Sequence, residues 1–170
     1  MKKTCIILTA LLATASLGAG GAAAGLTADL MSAYVWRGQV VNDEPVLQPG
    51  LSAETPSGLS FGAWGNLDLT DRGDAAGEFT EVDLTVAYAL PLEGPVSVSV
   101  GWVEYLFPRE GDVVDEEVGL VLQEDADTRE AFLSLSGDLP LSPSVEIYYD
   151  LDEIDGFYAA AAVGHEVAPA

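Results

Sequence analysis

The sequence predicts an all-β protein, an antiparallel up-and-down transmembrane β-barrel with about eight visible strands and an incomplete C-terminus. Three observations carry this prediction. Apolar and polar residues alternate with period two along most of the chain, the pattern of strands with unlike faces. The alternating segments run to about ten residues, enough to cross a bilayer at a tilt and longer than the five or six usual in soluble strands. The connections between them alternate between tight turns and long polar loops, the asymmetry of a bacterial outer-membrane barrel.

The first element is a secretory signal. Lys2 and Lys3 precede the apolar stretch CIILTALLATASLGAG, and Ala22, Ala23 and Ala24 complete a small-residue cleavage region. The apolar core is too short for a membrane-spanning helix, so residues 1–24 are expected to be removed and residues 25–170 to form the barrel domain. Cys5 leaves with the signal, which excludes disulfides and thiolate metal sites from the exported chain.

The strands follow in order, near 26–37, 46–55, 59–69, 80–90, 95–106, 128–137, 144–151 and 156–167. In LTADLMSAYVW, Leu26, Ala28, Leu30, Tyr34 and Trp36 share one parity, with Thr27, Asp29 and Arg37 on the other. The second strand holds Pro49, which cannot donate to a ladder and predicts a bulge or an edge. In LSFGAWGNLDL, Leu59, Phe61, Ala63 and Leu67 oppose Ser60, Trp64, Asn66 and Asp68. TEVDLTVAYAL sets Val82, Leu84, Val86 and Tyr88 against Glu81, Asp83 and Thr85, and VSVSVGW repeats the pattern. Ala131, Leu133 and Leu135 then oppose Glu130 and Ser134, and Val145, Ile147 and Tyr149 oppose Glu146 and Asp150. The last segment alternates poorly.

Tight turns, PSG, PLEG and DLPLSPS, follow strands two, four and six. Longer connections, GQVVNDEP, TDRGDAAGEF and residues 107–127, follow strands one, three and five, and DLDEID is short for its parity. The tight turns are expected on the periplasmic side.

Charge narrows the partners. The chain has 28 Asp and Glu against six Lys and Arg, and the basic residues beyond the signal are Arg37, Arg72, Arg109 and Arg129. Such a polyanion repels nucleic acid, which leaves outer-membrane lipid around the barrel and small solutes or cations as the expected partners. The parity puts Asp29, Arg37, Trp64, Asp68, Glu81, Asp83, Glu130 and Glu146 in the lumen. Tyr34, Trp36 and Trp102, all near the loop ends of their strands, are expected in an aromatic belt at the membrane interface. Arg37 is the cation that joins the inward acids, and Asp68 or Asp83 is its expected partner, since a guanidinium fork engages two carboxylate oxygens.

An eight-stranded barrel has an interior just filled by side chains, so many ionised carboxylates there need counter-charges or water. Either the acids sit near the rims or the complete barrel has more strands. HEVAPA lacks the terminal aromatic of a finished membrane strand, and a truncated reading frame is expected.

No catalytic constellation is present in the sequence. His165 lies in the weakest strand, and Glu116 with Glu117 reads as a solvated charge run. DLDEIDG misses the EF-hand spacing, and DVVDEE offers only loose cation association, so no metal site and no cofactor are expected.

Ser32, Tyr34, Trp36, Arg37 and Gly38 close the first strand, followed by Gln48, Pro49 and Gly50, then by Gly58, Gly62, Trp64 and Gly65. With these motifs the chain resembles the TorF-like porin family, exported outer-membrane proteins first catalogued as conserved hypotheticals. The likeness covers residues 26–69 and is looser at GWVEYLFP, Gly101 to Pro108; the early end and the acidic insert from Gly111 to Asp127 depart from the family. The resemblance implies an outer-membrane β-barrel with a pore role and no established substrate. The expected function is passive diffusion of small solutes through a cation-favouring lumen. The alternatives are a nonconducting barrel whose acidic loops bind a partner or cations, and a soluble periplasmic ligand-binding β protein.

Overall fold

The cleanest alternating stretch, residues 80–90, shows how the pattern becomes structure. In the computed structural model, which describes residues 7–15, 21–71, 75–108, 113–115, 120–122 and 127–164, it forms β7 (Phe79–Ala89). Its even-numbered Leu84, Val86 and Tyr88 are exposed, while Glu81 on the opposite parity is buried. Exposed apolar residues recur on β2 (Ala23–Met31), β5 (Val46–Glu54), β6 (Leu59–Asp68), β8 (Val96–Leu106), β12 (Ser144–Asp150) and β13 (Phe157–Ala162), and buried polar ones on β5, β6, β11 (Thr128–Gly137) and β12.

These eight strands pair with their sequence neighbours, all antiparallel, in the order β2-β5-β6-β7-β8-β11-β12-β13. A further strand, β1 (Ile7–Ala15), pairs with β2 and makes the sheet nine-stranded. Two small hairpins lie apart from it: β3 (Tyr34–Trp36) with β4 (Gln39–Asn42), and β9 (Val113–Asp115) with β10 (Leu120–Leu122).

Three departures from the sequence-based expectation follow. The sheet is not closed into a barrel: β1 and β13 are its edges, because β1 holds the edge of β2 that β13 would need. The predicted first strand breaks at a bend at Ser32 and Ala33, beyond which the chain pairs with β4 instead of extending β2. The connection after β8, expected as a long loop, contains the β9–β10 hairpin.

Pro49 is handled without a bulge. β5 pairs with β6 at Leu47↔Leu67 and again at Gly50↔Trp64 in one register, with the ladder interrupted between. Across that gap the Gln48 amide donates to Asn66 Oδ1 at 3.0 Å, so side chains replace the backbone bond that proline cannot make.

The sheet is strongly curled. From β2 to β13 is seven strand steps, roughly 33 Å if flat at about 4.8 Å each. The six residues from Met31 to Arg37 reach roughly 20 Å at most. Yet the hairpin that follows β2 meets Glu81 of β7, Glu130 of β11 and Tyr158 of β13, as a concave polar face allows.

Gly101 marks where two strands crowd. It faces Phe132 across the β8–β11 pair, and a Cβ there would intrude on the Phe132 ring and lie 2.7 Å from the Val86 carbonyl oxygen. Gly101→Ala is expected to cost about 1–3 kcal/mol by overpacking, read from the denaturant midpoint. Phe132→Leu on that background recovers only part, because the Val86 carbonyl stays in place.

Candidate functional site

The site begins with a turn. Trp36 pairs with Gln39, leaving Arg37 and Gly38 as a two-residue loop, and both have positive φ, 47° and 80°. Positive φ at both central positions is the mark of a type I′ hairpin, with glycine suited to the second and an arginine under strain at the first. The turn therefore presents Arg37 at the tip of a hairpin that folds across the concave face.

There the guanidinium meets a carboxylate from a distant strand. Arg37 donates through Nη1 to Glu130 Oε1 at 2.7 Å and through Nη2 to Oε2 at 2.5 Å, a two-pronged pair. Tyr105 also donates its hydroxyl to Glu130 at 2.8 Å. Rings surround the cation: Trp36 at 4.3 Å, Tyr158 at 4.1 Å and Tyr148 at 5.0 Å from the guanidinium carbon. Burial works against the charge on Arg37, but Glu130 outweighs it and holds the pKa above its ordinary value.

Tyr34 anchors the other side of the hairpin. Its hydroxyl donates to Glu81 at 2.6 Å, and its ring lies 5.7 Å from Trp64. Burial and then the Glu81 carboxylate raise the Tyr34 phenol well above its ordinary pKa, so it remains a donor. Beside it Asn66, itself bound by Gln48, donates to Asp68 and Thr80.

The hairpin divides this end of the concave face into two cavities. One of about 510 Å³ is lined by Met31, Tyr34, Trp36, Gln48, Trp64 and Asp83. The other, about 210 Å³, lies toward Tyr105, Glu130 and Asp150. Toward the tight-turn end the same face carries a row of small residues, Gly25, Ser52, Gly62 and Thr85, in register across β2, β5, β6 and β7.

Of the residues expected inward, Asp29, Trp64, Asp68, Glu81, Asp83, Glu130 and Glu146 project from this concave face by strand parity, and Arg37 reaches it from the hairpin. The partner expected for Arg37, Asp68 or Asp83, is corrected to Glu130: the hairpin carries the arginine past β7 to β11. Tyr34 and Trp36 are also corrected. Tyr34 is 5% exposed and Trp36 packs edge-on to Tyr105, both on the acidic side rather than in an outward belt. The bend at Ser32 and Ala33 resets the parity on which the belt position rested. Trp102 lies on the outward face opposite Val86 and Ala131, with its indole N–H on Glu104 at 3.0 Å. Arg72, Arg109, Glu116, Glu117 and His165 lie outside the described residues.

A family model described as a bacterial protein of unknown function, Gcw_chp, matches residues 17–133. The chain belongs to the Gcw_chp family. It has no significant match among curated proteins or among solved structures. In this Gcw_chp member the matched stretch contains the hairpin, Trp64, Glu81, Asp83, Tyr105 and Glu130, whereas Tyr148 and Tyr158 of the cation cage lie beyond it. Among the described residues no three His, Cys, Asp or Glu side chains converge as a metal ion would need.

The turn had a sequence signal that the parity reading missed. Arg37-Gly38 stands between YVW and QVVN, two short β-prone runs separated by two residues of which one is glycine, a hairpin pattern. Nothing comparable marks Glu130, 93 residues away.

Proposed function

We propose that this Gcw_chp protein is an outer-membrane β-barrel that passes small solutes, with an acidic interior that favours cations. One observation carries the reading: side-chain polarity is inverted relative to a water-soluble domain. Glu130 and Glu81 are 2% and 5% exposed, while Leu51, Leu26 and Val100 are 58%, 48% and 43% exposed. Exposed apolar residues recur on β2, β5, β6, β7, β8, β12 and β13, seven of the sheet's strands. An apolar exterior of that extent needs lipid or a partner against it. In the closed form the signal segment no longer holds the edge of β2, and the concave face becomes the lumen. The likeness of residues 26–69 to TorF-like porins supports the same reading.

The interior charge sets the selectivity. Asp29, Asp68, Glu81, Asp83, Glu130, Glu146 and Asp150 share the concave face, where Arg37 is the cation among the described residues. Acidic linings concentrate cations and exclude anions. In planar bilayers across a potassium chloride gradient, the reversal potential is expected to take the sign of cation selectivity; anion selectivity would refute the lumen assignment.

One observation favours a second reading, a nonconducting barrel that works through its loops. The β3–β4 hairpin crosses the concave face and is held from both sides, by Glu81 and by Glu130. Stable insertion without conductance would decide for it.

A further inference from the structure

Trp64 stands among small residues. On the concave face it has Gly50 directly opposite on β5 and Gly62 two residues back on its own strand, itself opposite Thr85 on β7. Trp64 therefore borders two spaces, the larger cavity of about 510 Å³ beside the hairpin and another of about 310 Å³ over Gly50 and Gly62. A third, about 500 Å³, shares Gly25, Ser52, Gly62 and Thr85 with the second, so the three make one trough from the hairpin toward the tight-turn end. Packing does not call for a glycine at 62, since a Cβ there would meet Thr85 at an ordinary 3.5 Å. A glycine in a regularly paired strand that has room for a side chain suits the close approach of a ligand. The polar groups along the trough are uncharged. Gln48 is 9% exposed; its amide nitrogen donates to Asn66, and its oxygen is left at the wall of the larger cavity with no partner among the described residues. The Trp64 indole N–H and the hydroxyls of Thr27, Ser52 and Thr85 have none there either. The neighbouring acids are occupied: Glu81 receives Tyr34, Glu130 receives Arg37, and Asp83 Oδ1 is shut off from solvent.

We infer that this trough binds a short uncharged saccharide, with one pyranose ring stacked on Trp64 and its hydroxyls on Gln48 and the serine and threonine side chains. A pyranose is amphiphilic in the same way as the lining. Its axial C–H bonds form an apolar face that the negative face of an indole attracts, and its rim of hydroxyls both donates and accepts. A hydrocarbon would leave the amide and hydroxyls unpaired, and an anion would meet the acidic interior around the trough. The site goes beyond the pore reading and does not rest on it, because binding here needs no conduction.

Isothermal titration calorimetry tests the assignment on the full chain, in buffer free of any detergent with a sugar headgroup. The neutral probes are maltotriose, cellotriose and triacetylchitotriose; sorbitol, which has hydroxyls but no ring face, and trigalacturonate, which is anionic, are the controls. At least one neutral trisaccharide is expected to bind saturably, sorbitol to show no saturable heat, and trigalacturonate to bind at least about ten-fold more weakly. Trp64→Ala should weaken the neutral sugar at least about ten-fold, while Trp64→Phe keeps a stacking face and most of the affinity. Gly62→Leu leaves Trp64 in place, fills the trough beside it and should abolish binding. Saturable binding of none of the three neutral sugars, equal affinity for trigalacturonate or sorbitol, or undiminished binding in Gly62→Leu would overturn the assignment. If Trp64→Ala fails to fold, the sugar series on the parent and Gly62→Leu, whose Cβ meets only ordinary contacts, decide the matter. Bilayer conductance tests the pore reading separately.

Discussion

Arg37→Met is expected to cost about 3–5 kcal/mol of folding stability, the range seen when one partner of a buried ion pair is removed. The side chains of Arg37 and Glu130 are 13% and 3% exposed, so water cannot substitute for the lost guanidinium. The remaining Glu130 would keep one neutral donor, the Tyr105 hydroxyl at 2.8 Å. Packing falls with the charge, because the guanidinium fills the space between Trp36, Tyr148 and Tyr158. Arg37→Lys should rescue little, since a point charge neither forks onto two carboxylate oxygens nor stacks as a plane. Removing both charges, as Arg37→Met with Glu130→Gln, should cost markedly less than the sum of the single changes. Chemical denaturation of the four proteins in detergent reads the cycle, and strict additivity would show that the pair is not coupled. If the pore reading holds, loss of the latch also frees the hairpin, and Arg37→Met should conduct more than the parent.

Val100→Arg separates membrane from water. Val100 stands near the middle of β8, 43% exposed, with Tyr88 and Leu133 as its cross-strand neighbours. Facing hydrocarbon at the bilayer centre, an arginine there costs about 2–4 kcal/mol. Facing water, a surface substitution of this kind stays within about 0.5 kcal/mol. The expected result is the larger loss, measured by unfolding from lipid vesicles. A Val100→Arg protein as stable as the parent would contradict the lipid-facing assignment of the apolar surface.

Much of this was legible because period-two alternation determines which face a residue takes once a strand exists. Asp83 and Leu84 fell on opposite faces as the pattern requires, and the strand bounds from β5 to β12 differ from the predicted ones by a residue or two. The pattern failed where the strand failed. Tyr34 and Trp36 were assigned by counting through Ser32 and Ala33, and a bend at that point voids the count. The β1–β2 pairing was hidden by a segment that composition marks as a signal, because apolar residues without alternation do not announce a strand. The Arg37 to Glu130 pair was out of reach for another reason. It depends on how far the sheet curls, a property of all the strands together that no local window encodes.

That long-range pair also imposes an order of events. The hairpin tip belongs to the first quarter of the chain, but the groups that receive it, Glu130, Tyr148 and Tyr158, sit on the last three strands. Local pairings between sequence neighbours form at little entropic cost, whereas a contact across 93 residues has to wait for the chain between them to be arranged. Docking of the tip is therefore expected late in assembly, when the cation and Trp36 arrive together at Glu130, Tyr148 and Tyr158.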